Sequence, residues 1–113
     1  MQTLTTEQLD ELRDRHADLV IINVLPAETY EKAHIPGSEN IPLKDDDFLE
    51  RAERALGDKD KPIVVYCANE QCDASPKAAR KLEEAGFSEV YDYEGGTEAW
   101  RDAGREVRGR LKV

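Results

Sequence analysis

Two stretches of this chain, Leu19-Val20-Ile21-Ile22-Asn23-Val24 and Ile63-Val64-Val65-Tyr66, are apolar at nearly every consecutive position. A strand with one wet face alternates apolar and polar residues. A strand that is apolar throughout is covered on both faces, as in a parallel sheet between layers of helices. Amphipathic helical patterns flank both runs, so the order of elements reads as a small α/β domain with crossover helices.

The helical patterns have identifiable ends. Thr5-Thr6 can cap a first helix, with Gln8 completing a capping box after Thr5 and with Leu9 and Leu12 facing inward. Pro26 ends the first run, and Ala27 to Ala33 reads as a short helix. His34-Ile35-Pro36-Gly37 is a turn, and Ile41 marks a short strand. Asp45-Asp46-Asp47 suits a helix N-terminus, where the dipole favours acids. Phe48, Leu49, Ala52, Ala55 and Leu56 then form one apolar face, and Gly57 stops the helix. After the Ile63–Tyr66 run, Ser75 is expected to cap the next helix, with Pro76 at its first position. Ala78, Ala79, Leu82 and Ala85 are its buried stripe, and Gly86 ends it. Val90 to Tyr93 is another strand. Gly95-Gly96 turns into a last helix with Ala99, Trp100 and Ala103 inside, Trp100 being a core or lid residue. Arg105 to Val113 reads as an edge strand or a tail.

The 113 residues suit one domain with a modest core. That domain is expected over residues 1–113, with its core at about 4–104. Met1 to Asp10 is polar, and the first base is Arg13, so a signal peptide is not expected. The Leu19–Val24 run is too short to cross a membrane. A formal net charge of −9 argues against nucleic acid or anionic membranes as partners. It fits either a solvated acidic surface or adaptation to high salt. The two cysteines, Cys67 and Cys72, and the two histidines, His16 and His34, do not make a metal-ligand pattern, so no metal is expected. A reducing cytoplasm is the default for such a chain.

Cys67 directly follows the Ile63–Tyr66 run, and a helix begins a few residues later. In a parallel α/β sheet that point, at the carboxyl end of a strand, is where ligands bind. Loop N–H groups and a helix N-terminus there favour an anion, and a thiolate is one. Cys67 is therefore a candidate nucleophile, set against the ordinary alternative of a buried, inert small hydrophobe.

Three segments resemble the rhodanese family, from about Leu4 to Gly104. Ala33-His34-Ile35-Pro36-Gly37-Ser38 followed by Asn40-Ile41-Pro42 resembles the family's "HIPGA-x-NIP" segment. Ile63-Val64-Val65-Tyr66 leads into Cys67, the family's catalytic position. Ala85-Gly86-Phe87, Val90-Tyr91 and Glu94-Gly95-Gly96-Thr97-Glu98-Ala99-Trp100 match its closing motif. The resemblance implies a small rhodanese-like domain: a central, mostly parallel five-stranded sheet flanked by helices. It implies a sulfurtransferase whose Cys67 takes a sulfane sulfur from thiosulfate or another persulfide and passes it to a thiophilic acceptor. The intermediate is a covalent persulfide, with no separate cofactor. The partners implied are a small-molecule or protein sulfur donor and a thiol acceptor. The loop amides of Ala68, Asn69, Glu70, Gln71, Cys72, Asp73 and Ala74 would lower the thiol pKa and hold the outer sulfur.

The chain departs from the family in four places. Asn23-Val24-Leu25 stands where the family commonly has Asp-Val-Arg, so a charge near the site is missing. The loop reads as about two residues longer than usual. It holds Glu70 and Asp73 but no Lys or Arg, which should disfavour a dianionic donor. Cys72 is either an incidental thiol or a resolving cysteine that attacks a Cys67 persulfide. His34 is expected to hydrogen-bond the backbone of the Pro36-Gly37 turn as a scaffold element rather than act as a base.

Two other functions compete with sulfur transfer. One is a thiol–disulfide redox or sensor protein using Cys67 and Cys72. The other is a catalytically silent binding module, against which the presence of Cys67 speaks. A cysteine phosphatase of related fold needs an Arg six residues after the Cys, and that position is Asp73.

Overall fold

The structure of the protein, a computed structural model, describes residues 2–109. Its sheet contains β1 (Gln2–Thr3), β2 (Val20–Asn23), β3 (Glu39–Asn40), β4 (Pro62–Tyr66) and β5 (Glu89–Tyr93). Their order is β1-β5-β4-β2-β3, and every pairing between them is parallel. The helices are α1 (Thr6–Arg15), α2 (Ala27–Lys32), α3 (Phe48–Leu56), α4 (Ala74–Glu84) and α5 (Gly96–Asp102). The α/β order expected from the apolar runs is present, and the sheet has the five strands that the family resemblance implies.

β4 occupies the middle of the sheet, and its alternation builds two cores. Ile63, Val65 and Cys67 point to one face with Phe48, Ala52 and Leu56 of α3 and with Ala78, Ala79 and Leu82 of α4. Val64 and Tyr66 point to the other face with Leu9 and Leu12 of α1 and Trp100 of α5. Both faces of β4 are thus dry, which is why its sequence shows no alternation. The Thr5 capping box forms as expected, with Gln8 N–H donating to Thr5 Oγ1 and Thr5 N–H to Gln8 Oε1.

Several expectations are corrected. The fifth strand is the two-residue β1, paired with β5, whereas the segment from Arg105 makes one antiparallel bridge, Arg108 to His34. Residues 110–113 of that segment lie outside the described ones. Ile41 follows β3 instead of belonging to it, although its N–H still bonds the Asn23 carbonyl. Ala103 is exposed because α5 ends at Asp102. Ser75 is not the cap of α4: the cap is Asp73, and Ser75 and Pro76 lie within the first turn. Proline is tolerated there because first-turn N–H groups have no helical acceptor. Ser75 is instead turned inward and buried.

Candidate active site

Cys67 lies at the carboxyl end of the central strand and is 1% exposed. Its backbone is fastened to the start of α5. Thr97 N–H donates to the Cys67 carbonyl at 3.1 Å, and Glu98 N–H donates to the Ala68 carbonyl at 3.0 Å. So close an approach requires Gly96: its φ is 62°, and a Cβ there would collide with the Cys67 carbonyl. The Gly95-Gly96 pair therefore sets the position of the cysteine.

The loop from Ala68 to Asp73 is organised by Asn69. The Asn69 carbonyl accepts from Cys72 N–H at 3.2 Å, and its Oδ1 accepts from Gln71 N–H at 3.1 Å. Its Nδ2 donates to Glu98 at 3.3 Å. The loop folds back, and Cys67 and Cys72 are joined by a disulfide with their Cα atoms 6.4 Å apart. Of the seven residues expected to line the site, Ala74 belongs to α4, and the amides of Gln71 and Cys72 are engaged within the loop. Asn69 as the organiser was not foreseen, although Asn at a turn is the signal that points to it.

The electrostatics are more divided than the loop sequence suggests. Asp73 pairs with Lys77 at 3.0 Å, and the hydrogen bond and charge of Lys77 hold its carboxyl below the ordinary value. A cleft of about 250 Å³ beside the loop is lined by Glu70, Glu98 and Asp102 and is acidic. A second, of about 180 Å³, is lined by Lys32 and Arg101 with Leu25, Ala68, Thr97 and Glu98, the last shared with the acidic cleft. Lys32 and Arg101 bring cations to one side of a loop that has none of its own. They come from α2 and α5, distant in sequence from Cys67, so loop composition alone could not reveal them.

Beneath the sulfur lies a second set of polar groups. Ser75 Oγ is 3.5 Å from Cys67 Sγ, placed to accept from the Cys67 thiol when the sulfur is reduced. Asp92 of β5 is fully buried, and neither carboxyl oxygen holds a hydrogen bond within ordinary range. Burial pushes the pKa of this carboxyl up; Ser75 acts against the rise, and the charge of Glu94 adds to it. Asn23 accepts from Leu25 N–H at 3.0 Å, while its Nδ2 is unpartnered. Across the sheet, Tyr66 O–H accepts from Ile35 N–H at 3.0 Å and meets Ser38 Oγ at 2.7 Å. His34 does not bond the Pro36-Gly37 turn; its Nδ1 lies 2.8 Å from the Tyr30 carbonyl, one turn back along α2, and its ring stacks on Tyr30. Among the described residues no group of three His, Cys, Asp or Glu could hold a metal ion, and no helix is long and apolar enough to cross a membrane.

Comparison with known proteins follows the same motifs. Residues 5–103 match the sequence model of the rhodanese-like domain. The thiosulfate sulfurtransferase GlpE of Pseudomonas savastanoi is 38% identical over 96 residues, covering 84% of this chain and 82% of the relative. An HTH-type transcriptional regulator of Mycobacterium tuberculosis is 38% identical over 97 residues, or 85% of this chain, which spans 41% of the regulator's length. Among solved structures, the rhodanese-like domain of an Anabaena protein superposes with a TM-score of 0.82 at 28% identity, covering 98% of this chain and 81% of that one. A thiosulfate sulfurtransferase from Pseudomonas aeruginosa gives 0.82 at 25% identity, covering 96% of this chain and 20% of that one.

Proposed function

The chain belongs to the rhodanese-like domain family, and on that footing we propose that it is a sulfurtransferase whose Cys67 carries a sulfane sulfur. The supporting observation is the placement of Cys67 at the end of the central strand, with its carbonyl fastened by Thr97 N–H. The Cys67 thiolate attacks the sulfane sulfur of a donor, forming a new S–S bond as the donor's own bond breaks. The leaving group departs with the electron pair. An acceptor thiolate then takes the outer sulfur, and Cys67 leaves as thiolate. Loop N–H groups turned toward Cys67 would favour the negative forms. No cofactor, metal, nucleic acid or membrane enters this reading.

The Cys67–Cys72 disulfide favours a second, linked reading. Cys72 as thiolate can attack Sγ of a Cys67 persulfide, forming the disulfide and expelling the outer sulfur as hydrosulfide. The persulfide is the oxidant in that step, and a thiol reductant must reopen the bond. A cytoplasmic setting would supply such thiols.

Intact-mass spectrometry of the reduced protein after incubation with glutathione persulfide tests the main reading. A gain of one sulfur atom, lost in Cys67→Ser, is expected. Substantial sulfur transfer by Cys67→Ser would overturn it. Non-reducing peptide mapping after loading tests the second: a Cys67–Cys72 linked peptide should accompany sulfide release and vanish in Cys72→Ser.

A further inference from the structure

The buried carboxyl of Asp92 has no part in the chemistry described above, and its position is unusual. Asp92 pairs with Val65 across the β4–β5 ladder, so its side chain projects from the same sheet face as those of Val65 and Cys67. That face is covered by Ser75, Ala78, Ala79 and Leu82 of α4 and by Phe48, Ala52 and Leu56 of α3, none of them charged. The charged group acting on it is Glu94, at the exit of β5, and that action is repulsive. Among the described residues no cation answers the carboxylate. Ser75 Oγ lies 3.5 Å from Cys67 Sγ, and Ser75 opens the helix that packs on β5, where Asp92 sits with both carboxyl oxygens unpartnered. An unsatisfied buried carboxyl is costly and rare, so its retention beside the sulfur calls for a reason.

We propose that Asp92 and Ser75 are positioning residues that form a buried proton relay for Cys67, so that sulfur and carboxyl share one negative charge. As Cys67 ionises, its Sγ–H proton passes to Ser75 Oγ while the Ser75 hydroxyl proton passes to Asp92. The charge moves from carboxylate to sulfur, and Asp92 becomes a neutral acid. When Cys67 is released, from its persulfide by an acceptor or from Cys72 by a reductant, the electron pair stays on Sγ and the proton returns by the same route. Two negative charges so close in a dry site are strongly disfavoured, which makes the two groups titrate as a pair. Burial raises the carboxyl pKa, which is the direction this arrangement needs.

The relay rests on Cys67 being the reactive sulfur, and its test is separable from sulfur transfer. The rate of iodoacetamide alkylation is followed against pH in reduced Cys72→Ser, where only Cys67 remains to react. Two steps are expected. Adding Asp92→Asn should collapse them to one and raise the rate on the alkaline side of the first step, since a competing charge is gone. Ser75→Ala should lower the rate constant for sulfur transfer by about a hundredfold, with KM little changed. Infrared titration of Cys72→Ser, which leaves Asp92 in place, should show a buried carboxylic acid band that vanishes with one of the two alkylation steps. Identical alkylation curves with and without Asp92, or no such band above the ordinary carboxylate range, would overturn the relay. A protein that titrates in two steps but accepts no sulfur would keep the relay and end the sulfurtransferase reading.

Discussion

The two faces of β4 bury polar groups in opposite ways. On the Tyr66 face the groups close on one another: Tyr66 accepts from Ile35 N–H and donates to Ser38, and Ser38 donates to the Ile35 carbonyl at 2.7 Å. On the Cys67 face both carboxyl oxygens of Asp92 lack a hydrogen-bond partner, and the hydroxyl of Ser75 acts against the rise of its pKa. A closed network fixes geometry and holds no proton loosely. An open one costs stability but leaves a group free to change its protonation state. The same strand thus carries a scaffold on one side and a reactive site on the other.

Gly96→Ala should produce the largest effect, because Gly96 fixes the position of the reactive side. The substitution forces a Cβ toward the Cys67 carbonyl at a φ of 62°. The strain alone is about 1–3 kcal/mol, and the Thr97 N–H bond to Cys67 would stretch. Sulfur transfer should fall roughly a hundredfold from misplacement. Activity assays at a temperature where circular dichroism shows the variant folded check this. An intact rate would mean that the clamp does not position the sulfur.

Tyr66→Phe comes next and inverts the pattern. It leaves Ile35 N–H and Ser38 without their shared partner and should cost about 1–3 kcal/mol in urea unfolding. The rate of sulfur transfer in the folded protein should change little, since Tyr66 points away from the loop. A large loss of activity without loss of stability would erase the division between the faces.

The same division explains what was legible in the sequence. The apolar runs gave away β2 and β4 because both are covered on two sides, and the Thr5–Gln8 box marked the start of α1. β1 escaped because two residues carry no period and it exists only by pairing with β5. Cys67 and its loop were visible as strand, turn and helix in order. A Ser-Pro pair looks the same in sequence whether the serine caps the helix or, like Ser75, turns inward from its first turn. Asp92 passed as an ordinary strand residue, because only the β4–β5 register shows that it shares a face with Cys67. Lys32 and Arg101 needed the packing of α2 and α5 to reach the loop.

Asp92→Asn offers a thermodynamic measure of the open side. A carboxyl whose folded pKa is raised stabilises the fold most while protonated in both states. That contribution is full below the ordinary carboxylate pKa and is lost as pH rises through the elevated one. Asn carries no such term. The stability of Asp92→Asn relative to the unmutated protein should therefore rise across that window and then level off. Both proteins are measured with the Cys67–Cys72 disulfide intact, so that no thiol titrates. A difference that is flat with pH would mean that Asp92 ionises in the fold as freely as in the unfolded chain.

The smallest expected effect concerns the mouth of the site. Glu70 and Asp102 line the acidic cleft, Asp73 is engaged by Lys77, and Lys32 and Arg101 line the second cleft, which adjoins the first at Glu98. A dianionic donor such as thiosulfate should approach along the Lys32–Arg101 side and feel Glu70 and Asp102 as distant repulsion. Glu70→Gln with Asp102→Asn should raise kcat/KM for thiosulfate by about two- to fivefold at low ionic strength, and less as salt screens the charges. Asp73→Asn should raise it as well, because the substitution removes an anion and frees Lys77. Lys32→Gln with Arg101→Gln should lower the same constant. If both pairs of substitutions move kcat/KM in the same direction, the charge of the clefts does not steer the donor, and discrimination must lie in the loop itself.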